Sequence, residues 1–333
     1  MTSELNGVVG IASKFLPCDA DGAFDEESYR NLIDWQIKNG VGAVGTFQGH
    51  VYEYSDAFRR EVAEIFVDEV DGRVPTVLGV ASWDVETAIK RARDVEDLDI
   101  DVLYVVGPPL DRPYSDDPED ILTYLGEFND AVDLPIMFCN SPAFWPKELE
   151  AETLLKLEDA APRVEYIMNC SKRTHVHQEV AEGLQGSSIK VLGGKSYNTY
   201  HQLASTAHLD EKMVGLTGYL SGTLPGEHAA MYEAYRKDDL DEANRIWTEK
   251  ILPVVNIFYG PGASAQANPP PDAVVEDIFT GFTYMLHQMG VIDQPRNPHS
   301  TRTVSDYTRR EVDRYLARVE PSPKGREPVL SAA

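Results

Sequence analysis

The chain has 333 residues, 42% of them hydrophobic, with 55 acidic against 30 basic side chains and a formal net charge of −25. That length suits one large α/β domain with a sizeable core, and the charge argues against nucleic acid or an anionic membrane as partner, because long-range repulsion opposes approach. No stretch reaches the roughly 20 apolar residues needed to span a bilayer, and three scattered cysteines are too few for a disulfide framework.

Eight short apolar runs recur along the first two-thirds of the sequence. They read VVGIA at 8–12, GAVGT at 42–46, PTVLGV at 75–80, DVLYVV at 101–106, LPIMFC at 134–139, VEYIMN at 164–169, IKVLGG at 189–194 and MVGLTG at 213–218. Runs this rich in β-branched residues suit strands buried on both faces. Their spacing of roughly 25–35 residues suits βα units rather than hairpins. Helical patterns lie between them: Tyr29, Leu32, Ile33 and Ile37 share one face, as do Phe58, Val62, Ile65 and Phe66. Asp117 or Pro118 opens another helix, and Pro146 sits where a helix start tolerates proline.

After the eighth run the pattern is helical over 225–237, 240–259 and 273–289, with AQANPPPDA breaking the last two. One more amphipathic stretch, SDYTRREVDRYLARVE, precedes a loose terminus. The expected fold is α/β, a (β/α)8 TIM barrel with additional C-terminal helices: a barrel over 1–224, a helical extension packed on it over 225–295, and a tail with one helix over 296–333. The N-terminus MTSELNG has neither a basic nor an apolar leader segment, so the expected location is the cytoplasm. The acidic helix faces, such as DEESYRNLID and DDLDEANRIW, read as solvated surface.

In such a barrel the chemistry sits at the carboxyl ends of the strands. Those ends read GTFQGHVYEYSD after strand two, GPPLDRPYS after four, FCNSPAFWP at five, MNCSKRTH at six, GGKSYNTYH at seven and TGYLSGTLP at eight. In order and spacing these segments resemble the dihydrodipicolinate synthase and N-acetylneuraminate lyase superfamily over about residues 7–290. GVVGIASKFLPCDADGAFD resembles its first strand and loop, GTFQGH its GTTGE, PPLDRPYS its PYYxRPS-type loop, CNSP its YNxP, and GLTGYLSGTLP its glycine-rich eighth strand.

The resemblance implies covalent catalysis on a 2-oxo acid. A lysine at the end of strand six forms a Schiff base, a tyrosine of strand five relays protons, and two threonines after strand two hold the carboxylate and the relay. This chain departs at each place. VEYIMNCSK resembles the family's IIGIKEAS-type stretch, and its lysine is read as falling on Asn169; the tyrosine falls on Cys139, the threonines on Phe47 and Gln48, the next glycine on Gly49, the glutamate on His50, and an arginine near Phe144. Putting Lys172 in the lysine's place would need three more residues in a strand that already looks complete at Asn169. The family's interface tyrosine falls near Leu110.

Each candidate carries its own chemistry and a plainer alternative. Lys195, after Gly194 at the end of strand seven, offers a point charge for a carboxylate, a relocated imine, or a solvated loop lysine. His50 suits general acid or base work, its ordinary pKa lying near neutrality, or is a surface histidine. Cys139 is a proton donor, a nucleophile or a small buried hydrophobe. By alternation from an inward Asn169, Cys170 should point away from the barrel axis and pack. Asn169 and Gln48 can hydrogen-bond a carbonyl or carboxylate, while Phe47, Phe144 and Trp145 suggest a less polar ligand or lid packing. His175 and His177, two apart, read as a solvated helix start rather than a metal pair, and Cys139, Cys170 and His50 lack regular zinc spacing.

The expected activity is therefore a lyase, an aldolase or dehydratase acting on a 2-oxo acid or related carbonyl compound by a changed mechanism. No metal or cofactor is expected; a small-molecule substrate is, and the resemblance implies a homo-oligomer, dimer or tetramer. The alternatives are a hydrolase, isomerase or decarboxylase on the same barrel, or a non-catalytic ligand-binding homologue.

Overall fold

The computed structural model of the protein describes residues 4–12, 16–46, 54–80, 82, 84–106, 118–141, 149–171, 173–260, 275–296 and 303–319. Eight parallel strands close into a barrel in sequence order: β1 Gly7–Ile11, β2 Ala43–Thr46, β3 Thr76–Gly79, β4 Val102–Val106, β5 Ile136–Asn140, β6 Val164–Asn169, β7 Lys190–Gly193 and β8 Gly215–Thr217. The (β/α)8 barrel expected from the sequence is the fold of the chain, and every apolar run contributes a strand.

The first helices begin where side-chain chemistry dictates. α1 (Glu26–Lys38), α2 (Asp56–Val70) and α3 (Val85–Arg93) are capped by Asp25, Ser55 and Asp84, whose oxygens accept from the backbone N–H of Ser28, Phe58 and Thr87. α4 (Pro118–Ala131) opens on Pro118, with Glu119 and Asp120 in its first turn, where the helix dipole favours carboxylates. α5 (Ala151–Leu155) and α6 (Leu157–Ala160) precede β6, and α7 (Thr174–Gly183) and α8 (Thr199–Thr206) flank β7.

Beyond the barrel, α9 (Pro225–Arg236) packs on β1 and α8. α10 (Leu240–Ile246) runs through one π-helical turn, Trp247–Ile251, into α11 (Leu252–Tyr259), so the single helix expected over 240–259 contains a wide turn just before Pro253. Proline lacks the N–H that a regular turn would use there, which accounts for the irregularity. α12 (Val275–Gln288) and α13 (Asp306–Leu316) pack on α11 and on each other. Among the described residues, no helix is long and apolar enough to cross a membrane.

Closure of the ring depends on glycine. β8 meets β1 through the pairs Gly7↔Gly215, Val8↔Leu216 and Val9↔Thr217. A Cβ at Gly215 would fall on the Gly7 carbonyl oxygen, and one at Gly42 on the Asn6 carbonyl oxygen. Gly215 meets β1 from the β8 side and Gly42 from the β2 side, and at both positions the backbones approach too closely for a side chain.

Candidate functional site at the barrel mouth

In a parallel sheet, residues in register face the same side. Cys139 pairs with Met168, and Met168 with Leu192. The strand ends show which side is the barrel interior. A Cβ at Gly194, beyond β7, would lie 2.5 Å from Cys170 Sγ and 2.8 Å from Met168 Cγ. Cys139 Sγ is 3.7 Å from Cys170 Sγ, and the Cys170 thiol donates to the Gly194 carbonyl at 3.3 Å. Met168, Cys170 and Cys139 therefore share the inner face.

The intervening residues look outward. The Asn140 side chain is bonded to the backbone of Leu149, donating to its carbonyl at 3.0 Å and accepting its N–H at 2.9 Å. Asn169 Oδ1 accepts from Asn140 Nδ2 at 3.4 Å, and Asn169 Nδ2 lies 3.2 Å from His177 Nδ1 on α7. This corrects two expectations together. Asn169 does not face the mouth, and Cys170 does not point away from it. The motif IIGIKEAS laid without a gap over Val164–Ser171 sets its lysine opposite Met168 rather than Asn169, and Met168 is an inward residue. No lysine occurs in β6.

His177 is also corrected: it is fully buried, not part of a solvated helix start, whereas His175 is exposed. Its Nδ1 accepts from the amides of Asn169 and, at 3.4 Å, Gln202. Its Nε2–H then faces Met213 Sδ at 2.8 Å, which fixes the neutral tautomer. Gln202 of α8 also donates to the Asn169 carbonyl at 3.1 Å and accepts the Lys195 N–H at 3.3 Å. One side chain thus holds the ends of β6 and β7 together and sets where Lys195 leaves the barrel wall.

Burial pushes His177 down to about 3, and burial likewise lowers His228, whose Nδ1–H donates to the Leu224 carbonyl at 2.8 Å, to about 4. Both folded values lie below the unfolded histidine value of about 6.5. Their stability contribution is therefore intact above pH 6.5 and lost as pH falls toward the folded values. Urea unfolding between pH 6.5 and 5 should show stability falling with a slope that approaches about 2.7 kcal/mol per pH unit, about 1.4 for each histidine. His201, half-buried and lowered the same way, adds to it. His177→Asn should remove roughly half of the two-histidine slope; an unchanged profile in that variant would contradict the assignment.

Inside the mouth, a row of neutral donors runs across three strands. The Tyr104 hydroxyl of β4 is hydrogen-bonded to the Cys139 thiol, and both are buried. The hydrogen bond to Cys170, followed by burial, holds the Cys139 thiol well above its usual pKa, and burial does the same for Tyr104. The donors form one directed chain: Tyr104 O–H to Cys139, Cys139 S–H to Cys170, Cys170 S–H to the Gly194 carbonyl. Tyr104 escaped the sequence reading, although a lone tyrosine in the run DVLYVV, two residues before the strand's end, was a usable signal.

Lys195 stands at the edge of this row, its field acting on Cys139 and its Nζ 5.9 Å from the Tyr197 ring centroid. Tyr197 packs against Tyr259 at 5.2 Å between centroids. Ser196 bonds the Tyr259 hydroxyl and accepts the Leu220 N–H at 3.3 Å. Tyr219, in the turn after β8, is pushed upward by burial and feels Tyr259, Cys170 and Cys139.

The structure thus brings Cys139, Cys170 and Lys195 together and leaves Asn169 outside the mouth. Gly194 is the space that Cys170 and Met168 occupy. Phe47, Gln48, Gly49, His50, Leu110, Phe144, Trp145 and Lys172 lie outside the described residues. Among the described residues, no group of three or more His, Cys, Asp or Glu side chains is placed to hold a metal ion.

Residues 7–316 match the profile of the Dihydrodipicolinate synthetase family. A 4-hydroxy-tetrahydrodipicolinate synthase of Pelobacter propionicus is 27% identical over 257 residues, 75% of this chain and 81% of that protein. One of Geotalea uraniireducens is 28% identical over 270 residues, 79% and 84% of the two chains. The crystal structure of dihydrodipicolinate synthase from Thermotoga maritima superposes with a TM-score of 0.79 at 19% identity, covering 95% of this chain and 99% of the other. That from Bacteroides thetaiotaomicron gives 0.79 at 16% identity, covering 96% and 100%.

Proposed function

The chain belongs to the dihydrodipicolinate synthetase family, and from that premise we propose that it is a lyase-type enzyme, an aldolase or dehydratase, acting on a 2-oxo acid or related carbonyl compound without a Schiff base on the sixth strand. The supporting observation is the mouth itself: Met168 where the motif has its lysine, the Tyr104–Cys139–Cys170 row beside it, and Lys195 on the next strand end.

A bond next to a carbonyl breaks when the electron pair left on carbon is stabilised as an enolate and a proton is removed from, or returned to, the reacting atoms. Lys195 supplies the positive charge for the substrate carboxylate and the developing enolate, a role that matters in a chain of net charge −25. Tyr104 and Cys139 supply protons as neutral donors, because their surroundings keep them protonated. His50, in the loop after β2, remains the proposed proton acceptor by residue type. Phe47 and Phe144 are proposed to line a site for a substrate larger and less polar than pyruvate. Assembly as a homo-oligomer and a cytoplasmic location belong to the same proposal.

A hydrolase, isomerase or decarboxylase using a Cys139 thiolate has less support, since that sulfur is held neutral. A binding homologue would show tight ligand binding with no turnover. Borohydride trapping with pyruvate and larger aromatic 2-oxo acids, read by intact mass and peptide mapping, tests the proposal. Turnover of a panel member with no borohydride adduct, while a family enzyme run in parallel is labelled, is the expected result. An adduct on Lys195 or Lys172 would instead show that the imine survives on another lysine and overturn the non-covalent route.

A further inference from the structure

Cys139 and Cys170 are 31 residues apart in sequence, yet the register of β5 on β6 brings their sulfurs to 3.7 Å inside the barrel mouth. The third cysteine, Cys18, lies elsewhere, its thiol on the Arg296 carbonyl at 3.7 Å. We propose that Cys139 and Cys170 form an oxidisable dithiol that a hydroperoxide converts to a disulfide, removing both thiol donors from the site.

The sulfurs are in van der Waals contact and must close to about 2.05 Å to bond. Cys139 lies within β5, and Cys170, one residue beyond β6, is held to the same strand by its N–H on the Asn140 carbonyl at 2.9 Å. Closure to bonding distance therefore falls on side-chain rotation at the two cysteines rather than on the backbone.

The chemistry balances with hydrogen peroxide as the oxidant. The Cys170 sulfur attacks one peroxide oxygen, the O–O bond breaks, and the leaving hydroxide takes the thiol proton, giving a sulfenic acid and one water. The Cys139 sulfur then attacks the sulfenyl sulfur. The S–O bond breaks, and the Cys139 proton leaves with the hydroxide as a second water. Two thiols lose two electrons and two protons, and one peroxide becomes two waters. The thiolate is the nucleophile and the Cys139 thiol is held protonated, so the reaction should be slow at neutral pH and faster in mild alkali.

The consequence is local. A disulfide cannot donate, so the link from Tyr104 through Cys139 and Cys170 to the Gly194 carbonyl is cut, and the Cys170 sulfur is turned toward Cys139 on the wall on which Met168 and Lys195 stand. The loss of activity rests on the lyase reading; formation of the bond does not.

The test is peroxide treatment of the full chain at pH 7 and 9, followed by intact mass, non-reducing peptide mapping and thermal melting. The expected result is a loss of about 2 Da for the two hydrogens, a crosslink between the peptides holding Cys139 and Cys170, reversal by a dithiol, and no crosslink in Cys139→Ala or Cys170→Ala. The oxidised, still folded protein should lose at least ten-fold in turnover and recover it on reduction. Oxygen added to separate cysteines, a crosslink through Cys18, or intact thiols after treatment at pH 9 would overturn the proposal. A mapped crosslink with unchanged turnover would overturn the control of the site. Should the reduced protein show no turnover at all, the lyase reading falls, while the crosslink map still decides the dithiol.

Discussion

Lys195→Met should lower kcat/KM for a 2-oxo acid by about 10²–10³-fold, the cost of removing one stabilising group from a developing oxyanion. The proposed role is charge, held at the end of β7 by the Gln202 clamp on the Lys195 N–H. Lys195→Arg keeps the charge and so should retain activity within about ten-fold of the parent, because guanidinium also pairs with carboxylate. An imine-forming lysine behaves differently, since arginine has no amine to condense with a ketone. Steady-state kinetics of the two variants, with their melting curves as a folding control, decides between them. Equal and complete loss in both would sink the point-charge role; no loss in either would remove Lys195 from the site.

The second large effect is on stability. Gly215→Val sets a branched side chain where a Cβ alone meets the carbonyl oxygen of Gly7 on the neighbouring strand. Backbone cannot step aside as a flexible side-chain end can, so β1 and β8 must separate at the seam that closes the barrel. The expected cost is roughly 3–5 kcal/mol, seen as a melting temperature lowered by about 4–7 °C in a chain of 333 residues or as failure to fold. Gly186→Asn is the contrast. Gly186 has φ +78° with nothing within 4 Å of an added Cβ, and asparagine tolerates that backbone region better than most residues. Its cost should stay near or below about 1 kcal/mol. Comparable melting points for the two variants would show that crowding at the seam is not what requires glycine.

The barrel was legible in the sequence because its cause is local. A strand buried on both faces needs four to six consecutive apolar residues, and crossover helices need an apolar stripe at helical spacing. The runs from VVGIA to MVGLTG and the faces of α1 and α2 carry both signals. Capping residues such as Asp25 and Ser55 are equally local. The same burial hides the parity of each strand. VEYIMN and its continuation present polar or sulfur-bearing residues on both sides, so no pattern distinguishes the barrel interior from the helix layer. A one-residue error then exchanges the two faces, which is how Asn169 and Cys170 came to be expected on each other's sides.

The sequence by itself determined the eight strands, their helices and the ends at which a site had to lie, and it placed Cys139 and Lys195 at those ends. Only the tertiary structure decided what they touch. The pairing of β5 with β6 selected Met168 and Cys170 for the interior and put the thiols of Cys139 and Cys170 in contact, and the pairing of β4 with β5 gave Tyr104 its place in the row. The tertiary structure also turned His177 from an apparent surface residue into the buried acceptor of two amides. The physical reason is that helix and strand patterns arise from neighbours along the chain, whereas inward facing and side-chain contact arise from register between strands about thirty residues apart.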